Sequence, residues 1–365
     1  IKVNLNYSEE QVMLREQIQK FCESEYDFYT REKIVKSSDD FDSNVWKLFA
    51  EQGWLSMPFS EENGGLGFGA VELAVLFEEF GKALVIEPYL ATVVLSGTLL
   101  DKSNYSKKSD LIEKICSGDM HISLAYAEAN KNYDYLNSDT TLDNNILNGT
   151  KTLVLNGGNS DKVIVTCIKD KKLTLVIIDS NTKGVSINSF KTIDDQSCAE
   201  ISFENVEIDN DAIIACDLEA IELINESINL ATLCVSAEAV GCMESCYLKT
   251  VEYTKGREQF GQPISNFQVL QHRMVDMFVE SELAKSLLFK AMLEVDSNSE
   301  DKYKHVSALK SQIGRSGKLS AQDAVQLHGG MGVSEEMMIG HYLKKMVSID
   351  ALFGNSDYHL KKFAS

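Results

Sequence analysis

The run Lys162-Val163-Ile164-Val165-Thr166-Cys167-Ile168, followed after a polar gap by Leu173-Thr174-Leu175-Val176-Ile177-Ile178, decides the fold class. In the first run Val163, Val165 and Cys167 fall on one side, the period of two that a half-buried strand needs. The second is apolar almost throughout, as a strand buried on both faces is. Farther on, Glu200 to Ile208 alternates Ile201 and Phe203 with polar residues, while Asn148-Gly149, Asn156-Gly157-Gly158 and Lys183-Gly184 supply turns. A period of two from about residue 119 to 212 predicts a small antiparallel sheet domain, a barrel or a sandwich.

Outward in both directions the period becomes helical. Ser8 ahead of Glu9-Glu10-Gln11 reads as an N-cap with an acidic first turn, after which Val12, Leu14, Ile18 and Phe21 share a face. Phe41 to Gln52 and Val71 to Phe80 repeat the amphipathic pattern, and the loop Glu61-Glu62-Asn63-Gly64-Gly65-Leu66-Gly67 lies between them. Downstream, periodic segments cover roughly 218–255, 267–295, 300–327 and 334–348. Pro58, Pro88 and Pro263, the only prolines, fall in loops or at helix starts. The expected architecture is α+β in three parts: an N-terminal helical domain over 1–118, a middle antiparallel β-domain over 119–215 and a C-terminal four-helix bundle over 216–365.

Composition narrows the function. A formal charge of −20 argues against nucleic acid, because phosphate backbones need clustered Lys and Arg, and against anionic membrane surfaces. An anionic ligand would bind only where a few cations or helix N-termini converge. The eight cysteines contain no Cys-x-x-Cys pair and the six histidines are dispersed, so no metal site is expected. Scattered cysteines fit a reduced, cytoplasmic setting; no signal peptide is visible and no apolar run is long enough to span a bilayer. Met331, Met337, Met338 and Met346 read as core filler, and Trp46 and Trp54 as packing the N-terminal helices.

Two C-terminal stretches carry chemistry. The first is Arg257-Glu258-Gln259-Phe260-Gly261-Gln262-Pro263-Ile264, followed by Phe267-Gln268 and Gln271; the second is Gln326-Leu327-His328-Gly329-Gly330-Met331-Gly332. Taken alone, Arg257 is a solvated helix-end cation and Phe260 a packing residue. Together with Trp54-Leu55-Ser56-Met57-Pro58 and the glycine loop after it, they closely resemble the acyl-CoA dehydrogenase family over essentially the whole chain. Tyr26-Asp27-Phe28, Glu87-Pro88-Tyr89-Leu90-Ala91-Thr92, Tyr126-Ala127-Glu128 and Gly340-His341-Tyr342 are similar to the branch called the small subunit of pimeloyl-CoA dehydrogenase.

This resemblance implies FAD at an interface between subunits, with both stretches reaching it from the neighbouring chain. Arg257 would pair with the pyrophosphate, for which a planar charged fork is suited. Phe260 would pack on the adenine side, and Gln268, Gln326, Gly329 and Gly330 would complete the contact; His328 would either touch FAD or stabilise the turn. The implied reaction is α,β-dehydrogenation of an acyl-CoA thioester, with electrons passing to an electron-transfer flavoprotein.

Other positions depart from the family. The glutamate that takes the α-proton, counted from Gln326, falls on Phe353; the alternative position, counted back from Arg257, falls on Ala231, with Thr232 beside it where many members keep arginine. The segment normally reading Thr-Glu-Pro-Gly-x-Gly-Ser-Asp is here Ala127-Glu128-Ala129-Asn130-Lys131-Asn132-Tyr133-Asp134, and Trp-Ile-Thr is replaced by Leu153-Val154-Leu155. Groups that would hold FAD in trans are kept and groups that would hold it in cis are lost.

The expectation is therefore a base-deficient subunit that completes the FAD site of a paralogous acyl-CoA dehydrogenase subunit in a heterotetramer. Related heteromeric enzymes act on steroid side chains. The competing readings are a self-sufficient homotetramer with a relocated base among Glu128, Glu238, Asp350 and Asp357, and a flavin-free acyl-CoA-binding scaffold. Fatty, dicarboxylic and steroid side-chain acyl groups all stay open as substrates.

Overall fold

The computed structural model describes residues 7–37 and 39–365. Its helices are α1 (Glu9–Ser24), α2 (Phe28–Lys36), α3 (Ser43–Glu51), α4 (Ala70–Ala83), α5 (Thr98–Lys102), α6 (Lys108–Cys116), α7 (Leu218–Gly256), α8 (Gln268–Asp296), α9 (Lys302–His328), α10 (Met338–Ala351) and α11 (Ser356–Ala364). Its main strands are β1 (Ile122–Ala125), β2 (Thr141–Asp143), β3 (Ile146–Leu155), β4 (Lys162–Lys169), β5 (Lys172–Asp179), β6 (Val185–Lys191), β7 (Ser197–Glu207) and β8 (Ile213–Cys216). A hairpin of two short strands, β9 (Glu258–Gln259) and β10 (Gln262–Pro263), separates α7 from α8. The chain divides into two compact units, one of Ile1–Lys33, Gly69–Val85 and Thr232–Ser365, the other of Ile34–Phe68 and Ile86–Ala231.

The first unit is helical. Helix α1 starts at the expected Ser8: the Gln11 amide donates to its Oγ at 3.2 Å, and its own amide donates to Gln11 Oε1 at 2.9 Å. Helices α4 and α7 touch backbone to backbone. A Cβ on Gly81 would lie 2.0 Å from the Glu238 carbonyl oxygen, and one on Gly241 would lie 1.9 Å from that of Glu78. The end of α4 is capped by side chains from the stretches that resemble the small-subunit branch and from α2: Tyr342 donates to the Lys82 carbonyl at 2.6 Å, and Arg31 donates to the Leu84 carbonyl at 2.9 Å. His341 stands beside Arg31 at 3.4 Å with Phe28 edge-on to its ring at 5.2 Å. These branch-like residues therefore help to build the helix packing.

The second unit holds the eight-stranded sheet, in the order β6-β7-β3-β2-β4-β5-β8 with β1 on β4. Strands β4 and β5, the pair that the apolar periodicity indicates, are antiparallel from Lys162↔Asp179 to Lys169↔Lys172. Val163, Val165, Cys167, Val176 and Ile178 sink into a core shared with Ile201, Phe203 and Val206 of β7. The sheet is mixed where an antiparallel one was expected, because β1 and β2 each pair with β4 in parallel. Trp46 and Trp54 are buried in this unit, with Trp54 tilted against Phe49 at 5.1 Å.

Candidate functional site

The Arg257 stretch leaves α7 and turns at once. The Arg257 amide donates to the Tyr253 carbonyl at 2.9 Å, and the Ile264 amide returns to the Arg257 carbonyl at 2.8 Å. Between them Gln259 pairs with Gln262, so Phe260 and Gly261 form a two-residue turn with φ of 54° and 78°. Two positive φ values are what a tight hairpin requires, but a bulky residue at the first is uncommon. Phe260 is nonetheless 91% exposed, so burial within this chain does not hold it there. Gln268 opens α8 and is exposed.

The second stretch ends α9. Gln326, Gly329 and Gly330 are exposed, and a Cβ on either glycine would meet nothing within 4 Å. Gly329 has a φ of 59°, which favours glycine, whereas packing within the chain gives no reason for Gly330. His328 is buried. Its Nδ1 lies 2.8 Å from the Ala324 carbonyl, which only accepts, so Nδ1 carries the proton and Nε2 is an acceptor that finds no partner among the described residues. Burial holds the imidazole below its ordinary pKa, opposed by that carbonyl.

The two stretches meet through Tyr253, which the sequence reading did not single out. Its ring stacks on His328 with centroids 4.2 Å apart and planes 23° apart, and its hydroxyl donates to the His328 carbonyl at 3.3 Å. Arg257 is exposed and makes no ion pair or side-chain hydrogen bond among the described residues. The other four arginines are engaged: Arg15 with Glu78, Arg31 with the Leu84 carbonyl, Arg273 with Asp323 at 3.0 Å and Arg315 with Asp357 at 3.5 Å.

The two positions at which the resemblance would place the base are apolar. Ala231 is buried in α7, and Phe353 is buried in the loop after α10. That loop is held through its backbone. Lys310, fully buried on α9, donates to the carbonyls of Ile349 at 2.7 Å, Asp350 at 3.2 Å and Gly354 at 2.7 Å. Burial pushes the Lys310 pKa down to about 7, while the three carbonyls offer each ammonium proton an acceptor. The His359 Nε2 donates to the Phe353 carbonyl at 3.0 Å, and burial followed by nearby Lys310 keeps that ring neutral, with a pKa of about 3. Phe353 and Gly354 have φ of 58° and 114°, a turn fixed by its surroundings.

The alternative carboxylates are all engaged. Asp350 accepts from Lys318 at 2.6 Å and from the Ser356 amide, the start of α11, at 3.0 Å. The helix ends at Ala351 and Phe353 is left-handed, so Asp350 and Phe353 do not share a helix face as continuous helix would have required. Glu238 is buried against Lys345 at 3.0 Å, and Asp357 is exposed beside Arg315.

In the sheet, Glu128 accepts from Lys151 at 2.6 Å, Ser138 at 2.6 Å, the Thr140 hydroxyl at 2.8 Å, and the amides of Asp139 at 2.6 Å and Thr140 at 3.1 Å. Burial alone would raise its pKa, but these bonds, led by Lys151, hold it down at about 2. Lys151 is itself fully buried and also donates to Thr166 at 2.8 Å. The Ala127 carbonyl accepts from the Thr152 amide at 2.9 Å. Tyr126 packs edge-on against Tyr135, whose hydroxyl donates to Asn225 at 2.9 Å. Leu153 sits at a β-bulge with φ of 51°, and Leu155 follows in register with Cys198. A flavin ring laid on this segment would find no side-chain donor at 127, 153 or 155, and Glu128 has no capacity to spare. The hairpin and glycine turn fit FAD better: an unpaired guanidinium, an outward aromatic ring and open glycine backbone suit a pyrophosphate and its adenine.

No helix among the described residues is long and apolar enough to cross a membrane. Comparison with known proteins gives a consistent family. Residues 8–119 match the acyl-CoA dehydrogenase N-terminal domain, 123–206 the middle domain and 221–365 the C-terminal domain. The probable acyl-CoA dehydrogenase YngJ of Bacillus subtilis is 27% identical, covering 97% of each chain. Among solved structures, the ChsE4-ChsE5 complex from Mycobacterium tuberculosis shares the fold at a TM-score of 0.91 and 21% identity, over 99% of this chain and 98% of that one. Butyryl-CoA dehydrogenase from Megasphaera elsdenii does so at 0.90 and 21%, over 99% of each. The chain therefore belongs to the acyl-CoA dehydrogenase family, FAD-dependent oxidoreductases that act on CH–CH bonds.

Proposed function

We propose that this chain is the base-deficient subunit of a hetero-oligomeric acyl-CoA dehydrogenase and that it completes the FAD site of a paralogous partner. The observation that carries this reading is Arg257. In a chain of net charge −20, it alone among the arginines has no partner among the described residues, and it lies at the foot of a hairpin that points Phe260 outward. An exposed aromatic in strained backbone and an unpaired guanidinium suit a ligand supplied from outside. Bound FAD would supply the hydride-accepting chemistry. Arg257 would orient the pyrophosphate through paired N–H bonds, Phe260 would cover the adenine side, and Gln268, Gln326, Gly329 and Gly330 would close around the dinucleotide.

The proton acceptor would come from the partner, because Phe353 and Ala231 cannot take a proton and Glu128, Glu238 and Asp350 are tied to lysines. That engagement of the carboxylates also speaks against a self-sufficient enzyme with a relocated base. The fold shared with the two-component ChsE4-ChsE5 complex is in keeping with unlike subunits. We further propose an acyl-CoA thioester as substrate and an electron-transfer flavoprotein as acceptor; the acyl group and the small-subunit branch rest on resemblance. Co-purification from the native source tests the reading: a paralogous dehydrogenase at equal stoichiometry is expected, and a homo-oligomer with full FAD and full turnover would refute it.

A further inference from the structure

The hairpin and the glycine turn lie on different elements, and nothing in their sequences fixes their relative position. We infer that Tyr253 is the positioning residue that holds Arg257 and the His328–Gly330 turn together as one dinucleotide-facing surface. This rests on the reading that the surface takes FAD. Tyr253 stands one helical turn before Arg257, and its carbonyl accepts the Arg257 amide at 2.9 Å. From the same residue the ring stacks on His328 at 4.2 Å, and the hydroxyl reaches the carbonyl immediately before Gly329 at 3.3 Å. His328 is fixed in turn by its Nδ1–H bond to the Ala324 carbonyl at 2.8 Å, so the stacked ring has one orientation and one tautomer.

Two contacts from one side chain therefore tie the end of the helix that carries Arg257 to the residue before the open glycine backbone. Both contacts end on His328, whose Nε2 finds no partner among the described residues. Tyr253 acts only through its neighbours, and its removal should be felt as misplacement of groups that bind.

The test is titration of FAD into the deflavinated native complex, followed by flavin fluorescence, alongside the Tm of each complex. Tyr253→Leu removes stack and hydroxyl and should weaken FAD about twentyfold; Tyr253→Phe keeps the stack and should weaken it about threefold. In an Arg257→Gln background, Tyr253→Leu should add clearly less than its twentyfold, because the part of its effect that runs through Arg257 is already gone and only the part through the glycine turn remains. If Arg257→Gln itself leaves FAD affinity unchanged, the trans reading fails and this inference falls with it. If Arg257→Gln weakens FAD but Tyr253→Leu does not, or adds its full effect in the Arg257→Gln background, Tyr253 is only a packing residue and the inference is overturned while the trans reading stands. Should Tyr253→Leu fail to fold, Tyr253→Phe decides: unchanged FAD affinity overturns the inference, and weaker affinity at an unchanged Tm supports it.

Discussion

The segment around Glu128 and the hairpin around Arg257 face opposite fates within one chain. At Glu128 nearly every polar group is satisfied internally: the carboxylate takes five hydrogen bonds, and Lys151 spends its ammonium on Glu128, Ser138 and Thr166. At Arg257 nothing among the described residues answers the guanidinium, Phe260 projects into solvent and Gly330 borders open space. Buried polar groups must be paired or they cost stability, so a closed network is what structure alone demands. An unpaired cation beside an outward aromatic in strained backbone has no such internal reason. The difference teaches that a family site can be read for division of labour by asking which of its polar groups the chain has already satisfied.

The comparison can be broken at either end. The largest expected effect lies at the open end: Arg257→Gln should weaken FAD in the native complex about a hundredfold, since charge-assisted bonds to phosphate are lost, while Tm stays within about 1 °C. Fluorescence titration and a melting curve measure both. At the closed end, Glu128→Gln should cost about 3 kcal/mol of stability by leaving Lys151 buried without its anion. Urea unfolding would show this as a lower midpoint.

The acid dependence follows from the same pair. The folded pKa of Glu128, about 2, lies below its ordinary 4.5, so the unfolded chain takes up the proton first. Its contribution is complete above about pH 4.5 and is lost as pH falls toward 2; Glu128→Gln should flatten that part of the stability profile. Gly330→Ala sharpens the contrast more gently, with no change in Tm and FAD binding weaker by about tenfold, because only a ligand from outside would meet the new methyl. Smallest is Asp350→Asn, expected to lose about 1 kcal/mol from the Lys318 pair and the Ser356 cap while leaving turnover of the native complex unchanged.

How much of this was legible in the sequence depends on the range of the interaction. The β4–β5 pair, the Ser8 cap and the long C-terminal helices follow from local period and local hydrogen bonding, and each forms where its residues indicate. The parallel pairing of β1 and β2 with β4 did not, because register between distant strands leaves no local pattern. Helix α11 was missed although Asn355 caps it, its side chain accepting from the Tyr358 amide at 2.9 Å; the helix is short and directly follows a left-handed turn.

At the candidate site the motifs themselves were readable and their coupling was not. Tyr253 falls within an unbroken helical pattern and looks like any half-buried aromatic. Lys310, which nothing in its local sequence marks out, is fully buried under the carbonyls of the Phe353 loop. Asp350 would reach the space near Phe353 only in continuous helix, and the left-handed Phe353 breaks that helix.

The most direct measurement is the native mass of the complex together with its flavin-to-chain ratio. Two unlike chains in equal number are expected, with FAD lost when Arg257 of this chain is changed to Gln. A complex built from this chain alone, carrying one FAD per copy that survives Arg257→Gln, would contradict the division of labour between subunits.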